Sequence, residues 1–414
     1  MSVLSSPAVS VVGRHNSGKT TLIVKLIGEL SGRGYDVGSV KHHHQADFAI
    51  DVPGKDSYRH RQAGATETMV AGPGQLACTK TIEGELSCSD IVGMMPGHDL
   101  VIAEGFRRDA LPAIEVMRAE NDADVVAAGL FAQAAALKMP LGNYEGHRLG
   151  SEGAHAAQSL EKLPAVSTVA LVSDIPEALA AAQFYDLPMF GLDEVASLAD
   201  FLEERFVRQR LTVVIQAGGE SRRMGQSKAL VPFAGRPLIC RAIERMLPVA
   251  DELVITTNEA ERFGFLESEF PGASIRLVAD VHEFRGALPG IHTALQAATH
   301  PLVAIVACDM LFASPRLVAA ETVALQESGA DAVVPVNKHG YEPLHAVYRR
   351  EACLPVVEEL VGVGEKRARA LCAHVQVREF SQAEVFAAEP MGGCFVNANT
   401  PEDLRMLEER FFEL

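Results

Sequence analysis

The chain has 414 residues, 48% of them hydrophobic and 22% charged. At roughly 150 residues per domain, this length predicts two or three domains with apolar surface for more than one core, which excludes a single small binding module and general disorder. Thirty-seven Lys and Arg against 54 Asp and Glu give a formal net charge of −17, which disfavours adhesion to nucleic acid or an anionic membrane, so a phosphate-bearing ligand must be held by a local site.

In chain order, residues 8–12 form a short apolar, β-rich run. It meets Gly13-Arg14-His15-Asn16-Ser17-Gly18-Lys19-Thr20-Thr21, after which Leu22, Ile23, Leu26, Ile27 and Leu30 recur at helical spacing. Strand, glycine loop and helix follow in that order, and the loop fits G-x-x-x-x-G-K-[ST]. Such glycines let successive backbone N–H groups wrap a triphosphate at a helix N-terminus, with Lys19 neutralising the outer phosphates and the Thr20 hydroxyl ligating Mg²⁺. Gly13, Asn16, Ser17, Gly18, Lys19, Thr20 and Thr21 are therefore candidate nucleotide contacts. A purely structural glycine turn would not need this flanking strand and helix.

A second strand is predicted over residues 35–40. The segment that follows, residues 41–61, is dense in His, Asp, Lys and Arg; it reads either as a nucleotide-sensing loop with an extra metal or phosphate contact or as a solvated loop. A third strand, residues 100–103, ends at Glu104, the place for the acid that completes a Mg²⁺ site in an open α/β sheet. Asp99, at the other end of that strand, reads as a turn residue. Residues 168–172 form another buried strand ending in Ser173-Asp174, where Asp174 is either a guanine reader or the cap of a helix beginning at Pro176. Residues 194–207 read as a closing amphipathic helix. Strands alternating with helices imply a parallel sheet covered on both faces.

At Leu211 the pattern restarts with the strand TVVIQ, a second glycine loop, AGGESRRMGQSK, and a helix over residues 238–246. One sheet rarely needs two opening phosphate loops, so a boundary falls near residues 206–210, giving domains 1–207 and 208–414. Further strands are predicted at 252–256, 274–278, 303–307 and 332–335. Ala217, Gly218 and Gly219 allow backbone N–H groups to approach a nucleotide, while Arg222, Arg223 and Lys228 bring cationic donors to its phosphates. This loop suits attack at an α-phosphate with loss of pyrophosphate, which needs positive charge and a metal around a crowded phosphorus. Asp309, at the tip of the apolar run VAIVAC, is the candidate Mg²⁺ ligand. Asn258 and Asp280 sit at comparable strand ends, as readers of ribose or base edges or as ordinary turn residues. Asn337-Lys338-His339-Gly340 lacks the aspartate of N-K-x-D and reads as a surface turn.

Seven cysteines include no C-x-x-C pair, which argues for reduced thiols rather than structural zinc. With no basic, apolar leader and no apolar run near 18 residues, the expected setting is the cytoplasm. The fold class expected is α/β in two domains: an N-terminal P-loop NTPase domain and a C-terminal Rossmann-like nucleotidyltransferase domain, each with a mainly parallel sheet between helices.

GRHNSGKTTL, KHHHQADFAIDVPGKDSYRHRQAGA, and DLVIAEGF followed by PAIEV together resemble the MobB family, the GTP-binding adaptor of molybdopterin guanine dinucleotide biosynthesis, over roughly residues 8–175. The resemblance implies a dimeric P-loop protein with weak GTPase activity that assists a partner enzyme. The second half resembles the MobA family, the molybdenum cofactor guanylyltransferases. AGGESRRMGQSK matches that family's AGG-x-S-x-RMG-x-x-K signature, GALPGI its GPLAGI segment, ACDM its P-C-D-x-P strand end, and FVNANTPEDL its closing motif. Carried over residue by residue, the GTP contacts fall on Gln216, Ala217, Gly218, Lys228, Asn258, Asp280 and Asp309, with Mg²⁺ on Asp309. Gln216 replaces the usual leucine, Ser227 replaces an aspartate, and Met310-Leu311-Phe312 replaces a proline-containing turn.

The resemblance implies transfer of GMP from GTP to a molybdopterin cofactor, of molybdenum or tungsten, with Mg²⁺, in a chain fused to its own adaptor. It also implies molybdenum-insertion proteins and client molybdoenzymes as partners, and a homodimer through the N-terminal domain. Two other readings stay open: a cytidylyltransferase on the same pterin, against which Ala217-Gly218-Gly219 favours guanine, and a GTP-hydrolysing cofactor carrier with an inert transferase half, against which Lys228 and Asp309 argue.

Overall fold

The computed structural model describes residues 4–43, 51–144, 162–218, 227–398 and 400–411. The chain forms two compact units, residues 6–208 and residues 209–414, and Leu4 belongs to the core of the second.

The first unit contains β1 (Ala8–Gly13), β2 (Val37–Lys41), β3 (Glu67–Gly72), β4 (Gln75–Lys80), β5 (Leu100–Glu104), β6 (Ala113–Met117), β7 (Thr168–Ser173) and β8 (Met189–Phe190). Six of them form one sheet of order β2-β5-β1-β6-β7-β8 with every pairing parallel. Parallel neighbours need crossovers, and helices such as Lys19–Gly32, Asp122–Ala136 and Pro176–Phe184 supply them. Leu22, Leu26, Leu198 and Leu202 pack on one face with Val9 and Val11, while Phe131, Ala134 and Ala178 belong to a separate core cluster. Alternating strand side chains therefore find apolar partners on both faces, which is why these strands read as continuous hydrophobic runs.

Two features of this unit were not in the sequence reading, and a third extends it. β6 interrupts its apolar run with Glu115, which is wholly buried and accepts from Arg107 Nη2 at 2.5 Å. β3 and β4 form an exposed antiparallel hairpin with no buried face to give a period-2 signal. Asp99 stands in a bend, in keeping with its reading as a turn residue; it is also 2% exposed, pairs with Arg208 at 3.0 Å, accepts the Asp36 N–H and so ties the base of the sheet.

The second unit contains β9 (Leu211–Gln216), β10 (Pro232–Phe233), β11 (Arg236–Pro237), β12 (Glu252–Thr256), β13 (Ile275–Val278), β14 (Leu302–Ala307), β15 (Ala332–Asn337), β16 (Gly340–Tyr341), β17 (His345–Arg349) and β18 (Val377–Phe380). The main sheet runs β13-β12-β9-β14-β17-β15-β16, with β18 beside β15. Its first four strands are parallel, and β17 is antiparallel to both β14 and β15. Thr256 and Ala307 both register with Gln216, and Val278 registers with Thr256. The residues after four strands thus leave from one edge, the carboxyl edge where open α/β sheets bind ligands. Asn337 begins a tight hairpin turn into β16, as its sequence suggested. Among the described residues no helix is long and apolar enough to cross a membrane.

Candidate functional site

The first loop is built on backbone that side chains resist. A Cβ on Gly13 would stand 2.6 Å from the carbonyl oxygen of Val116, and Gly18, the N-cap of helix Lys19–Gly32, has φ +87°. Asn16 is also left-handed, a conformation Asn tolerates better than most residues. The Arg14 carbonyl accepts from Ser17 Oγ at 2.8 Å and from Lys19 Nζ at 2.5 Å. Burial pulls the Lys19 ammonium below its ordinary value, opposed by the charge of Glu104. Strand order brings Glu104 to Thr20: Thr20 Oγ1 donates to Glu104 Oε1 at 3.0 Å, and Lys41 Nζ lies 3.1 Å from the same oxygen. Thr21 is exposed on the first turn.

Behind the loop, Arg14 is 6% exposed, with Nη1 3.7 Å from Oδ1 of the fully buried Asp124. Burial lowers the Arg14 pKa against the opposing charges of Glu115 and Asp124, and raises that of Glu115 against Arg107. Asp174 does not cap the helix Pro176–Phe184, whose N-cap is Ile175; its Oδ1 accepts instead from the Ala119 N–H at 2.6 Å. Of the histidine-rich segment, residues 44–50 lie outside the described residues, while His42 packs on Phe106 and pairs with Glu85.

In the second unit a cavity of about 370 Å³ opens at the carboxyl edge of the sheet, with Gln216, Ala217, Gly218, Lys228, Asp280 and Asp309 among its walls. Lys228 Nζ lies 2.6 Å from Asp309 Oδ2, and Ala398 N–H donates to the Asp309 carbonyl at 3.3 Å, which brings the closing motif against this strand end. Asn258 is not in the wall; it braces Asp280, donating through Nδ2 at 2.8 Å and accepting the Asp280 N–H at 2.9 Å. The buried Nε2 of Gln216 has no hydrogen-bond partner among the described residues. Gly219, Arg222 and Arg223 lie outside the described residues.

The sequence reading missed His282, Phe284 and Arg285, which also line the cavity. His282 Nε2 is 2.6 Å from Nδ1 of the buried His292. The one signal was a cluster of polar and aromatic residues just after Asp280, ahead of GALPGI. Burial pushes the Cys308 thiol up to about 12, so the cysteine beside Asp309 is no thiolate nucleophile at neutral pH. Among the described residues no three His, Cys, Asp or Glu side chains gather as a metal cage. Single carboxylates opening on a phosphate site suit Mg²⁺, which takes one or two carboxylates and leaves its other positions to phosphates and water.

Fold and site define an α/β chain with a P-loop unit followed by a nucleotidyltransferase-like unit. Residues 8–136 match MobB, molybdopterin guanine dinucleotide synthesis protein B, and residues 213–380 match the MobA-like NTP transferase domain. A molybdenum cofactor guanylyltransferase of Desulfosudis oleivorans is 35% identical over 199 residues, which is 48% of this chain and 94% of that protein. A probable molybdenum cofactor guanylyltransferase of Natranaerobius thermophilus is 34% identical over 194 residues, 47% of this chain and 93% of its own length. The crystal structure of molybdopterin-guanine dinucleotide biosynthesis protein A from Archaeoglobus fulgidus is 25% identical, covering 49% of this chain and all of that one, with a TM-score of 0.43. The chain belongs to the molybdenum cofactor guanylyltransferase family through its second unit and carries a MobB domain ahead of it.

Proposed function

We propose that the second unit transfers GMP from GTP to a molybdopterin cofactor while the first binds GTP and hydrolyses it weakly. The observation that carries this reading is the Lys228–Asp309 pair on the cavity wall, two residues from separate signature motifs meeting where a nucleotide's phosphates would lie. In the reaction, an oxygen of the pterin's terminal phosphate attacks the α-phosphorus of GTP. The bond from that phosphorus to the bridging oxygen breaks, and pyrophosphate leaves with the electron pair. Lys228, with Arg222 and Arg223, stabilises the charge that develops on the phosphates. Ala217, Gly218 and Gly219 bring backbone close to the nucleotide, with Gln216 and Asp280 towards its sugar and base and Asn258 holding Asp280 in place. Asp309 would hold Mg²⁺, which when bound supplies positive charge to the reacting and leaving oxygens. Positioning and electrostatics suffice, and no side chain need become a covalent nucleophile.

In the first unit Gly13, Asn16, Ser17, Gly18, Lys19 and Thr21 would wrap the triphosphate, with Thr20 and Glu104 on Mg²⁺. The functional boundary on this reading falls between residues 207 and 208. The protein works in the cytoplasm with molybdenum-insertion proteins and client molybdoenzymes, and its first unit pairs as a homodimer.

The direct test incubates the protein with Mg²⁺, molybdopterin cofactor and either GTP or CTP, and follows dinucleotide and pyrophosphate. Turnover with GTP is expected; turnover with CTP alone overturns the guanylyl assignment, and pyrophosphate from neither overturns the transferase reading.

A further inference from the structure

The strand order of the first unit divides its loop into two sides. Glu104, which meets Thr20, and Lys41, which meets Glu104, stand on β5 and β2, to one side of β1. β6 and β7 lie on the other side, and their carboxyl ends bring two charged residues to the same rim. Gly13 registers with Val116, so Arg118 leaves the sheet just beyond the loop. Arg118 Cδ lies 4.0 Å from where a Cβ on Gly18 would stand, which carries the side chain across the end of helix Lys19–Gly32. β6 registers with β7 at Met117 and Ser173, placing Asp174 beside Arg118, and Asp174 Oδ1 accepts the N–H of Ala119.

This corner is fixed from below. The Arg118 N–H donates to Asp124 Oδ2 at 3.1 Å, and the other oxygen of Asp124 faces Arg14 of the loop. Asn121 Nδ2 donates to the His15 carbonyl at 2.8 Å, docking the turn after β6 onto the loop itself. Above, among the described residues, nothing comparable restrains the charged ends. The Arg118 guanidinium pairs with Glu120, whose side chain is 75% exposed, and Asp174 is exposed. A surface pair of this kind holds weakly and exchanges readily for a better partner.

A triphosphate whose terminal phosphates lie at Lys19, Thr20 and Glu104 and whose chain crosses the helix N-terminus must carry its nucleoside to the opposite side. We propose that Arg118 and Asp174 form the nucleoside-reading corner of the first unit: Arg118 leaves Glu120 to lie against the purine, and Asp174 accepts the guanine N1–H and N2–H. The assignment rests on the reading of this unit as a nucleoside triphosphate site. An arginine plane stacks on an aromatic base. A carboxylate has acceptor capacity beyond the bond it already makes and matches the two adjacent donors of guanine. No N-K-x-D segment is required, because the aspartate arrives from the end of β7.

The test is calorimetric titration of the full chain carrying Lys228→Ala, which silences the second pocket, with GDP, xanthosine diphosphate and inorganic tripolyphosphate. Binding that Lys19→Ala removes is assigned to the first unit. Arg118→Ala is expected to weaken GDP about tenfold and leave tripolyphosphate within about twofold. Asp174→Asn is expected to weaken GDP about tenfold and to tighten xanthosine diphosphate, whose second carbonyl pairs with the new amide; a merely structural role would not invert base preference. An equal loss of GDP and tripolyphosphate in Arg118→Ala, or no exchange of preference in Asp174→Asn, overturns the corner while leaving the phosphate site standing. If Lys19→Ala leaves tripolyphosphate binding intact, the phosphate-site reading itself falls, and the corner with it.

Discussion

In the first unit the lysine of the glycine loop folds back on that loop, with Lys19 on the Arg14 carbonyl and Arg14 backed by a fully buried acid. In the second, Lys228 reaches across the sheet to Asp309 on the wall of an open cavity. The first arrangement places charge in the protein interior, where Glu115 and Asp124 stay costly unless Arg107 and Arg14 remain with them. The second keeps both charges half-buried at a site where reactants must meet. On the proposed function, an acidic chain holds anions in two ways: a preformed cradle stiffened from beneath, suited to binding, and a cation–acid pair that substrate would open, suited to transfer.

The largest effect that tests this contrast is expected from Asp309→Ala. Dinucleotide and pyrophosphate formation should fall at least about a hundredfold, with GTP hydrolysis by the first unit unchanged. Loss of both activities would break the separation. Lys19→Ala should do the reverse, removing phosphate release from GTP and leaving at least basal transfer; if transfer stops outright, the first unit is obligatory and the two sites are one machine. Asp124→Ala strands Arg14 in the interior and should destabilise the first unit by about 3 kcal/mol, read as an earlier unfolding transition in a denaturant series. An unfolding transition left unchanged by Asp124→Ala would remove the distinction between cradle and cavity.

A smaller, pH-dependent effect belongs to the second unit. Glu252, despite burial that would raise it, is held down to about 2 by the hydroxyls of Thr212 and Thr299 and by Arg276. Its folded value lies below its ordinary one of 4.5, so the stabilisation is complete above that pH and is lost as pH falls towards 2. Glu252→Gln should cost about 2 kcal/mol at neutral pH after allowance for screening, and the gap from the parent should close in acid unfolding curves. Gly218→Ala should be mildest: its Cβ would stand 3.1 Å from Asp280 Oδ2, which predicts a few-fold rise in KM for GTP with kcat largely kept.

Much of the fold was legible in the sequence. β1, β5, β7, β9, β12 and β14 are apolar runs that end in a polar residue or a glycine loop, and such runs read the same in isolation as in the sheet. β6 was hidden by Glu115, whose burial makes sense only with Arg107 eight residues upstream. β17 was hidden because an antiparallel strand inside a parallel pattern has no local mark; His345 sits wholly buried there beside Glu321. Among candidate site residues, Asn258 supports Asp280 rather than lining the cavity, and His282 and Arg285 line it without having been expected.

By itself the sequence determined the two glycine loops and the strand-tip acids. Backbone freedom at Gly13 and Gly18, and the position of a lysine directly after a loop, are matters of a few neighbouring residues. Only the tertiary structure decided which acid meets which cation. Thr20 finds Glu104 across 84 residues and Lys228 finds Asp309 across 81. Strand order makes those contacts, because it brings the carboxyl ends of parallel strands, far apart in the chain, to a common edge.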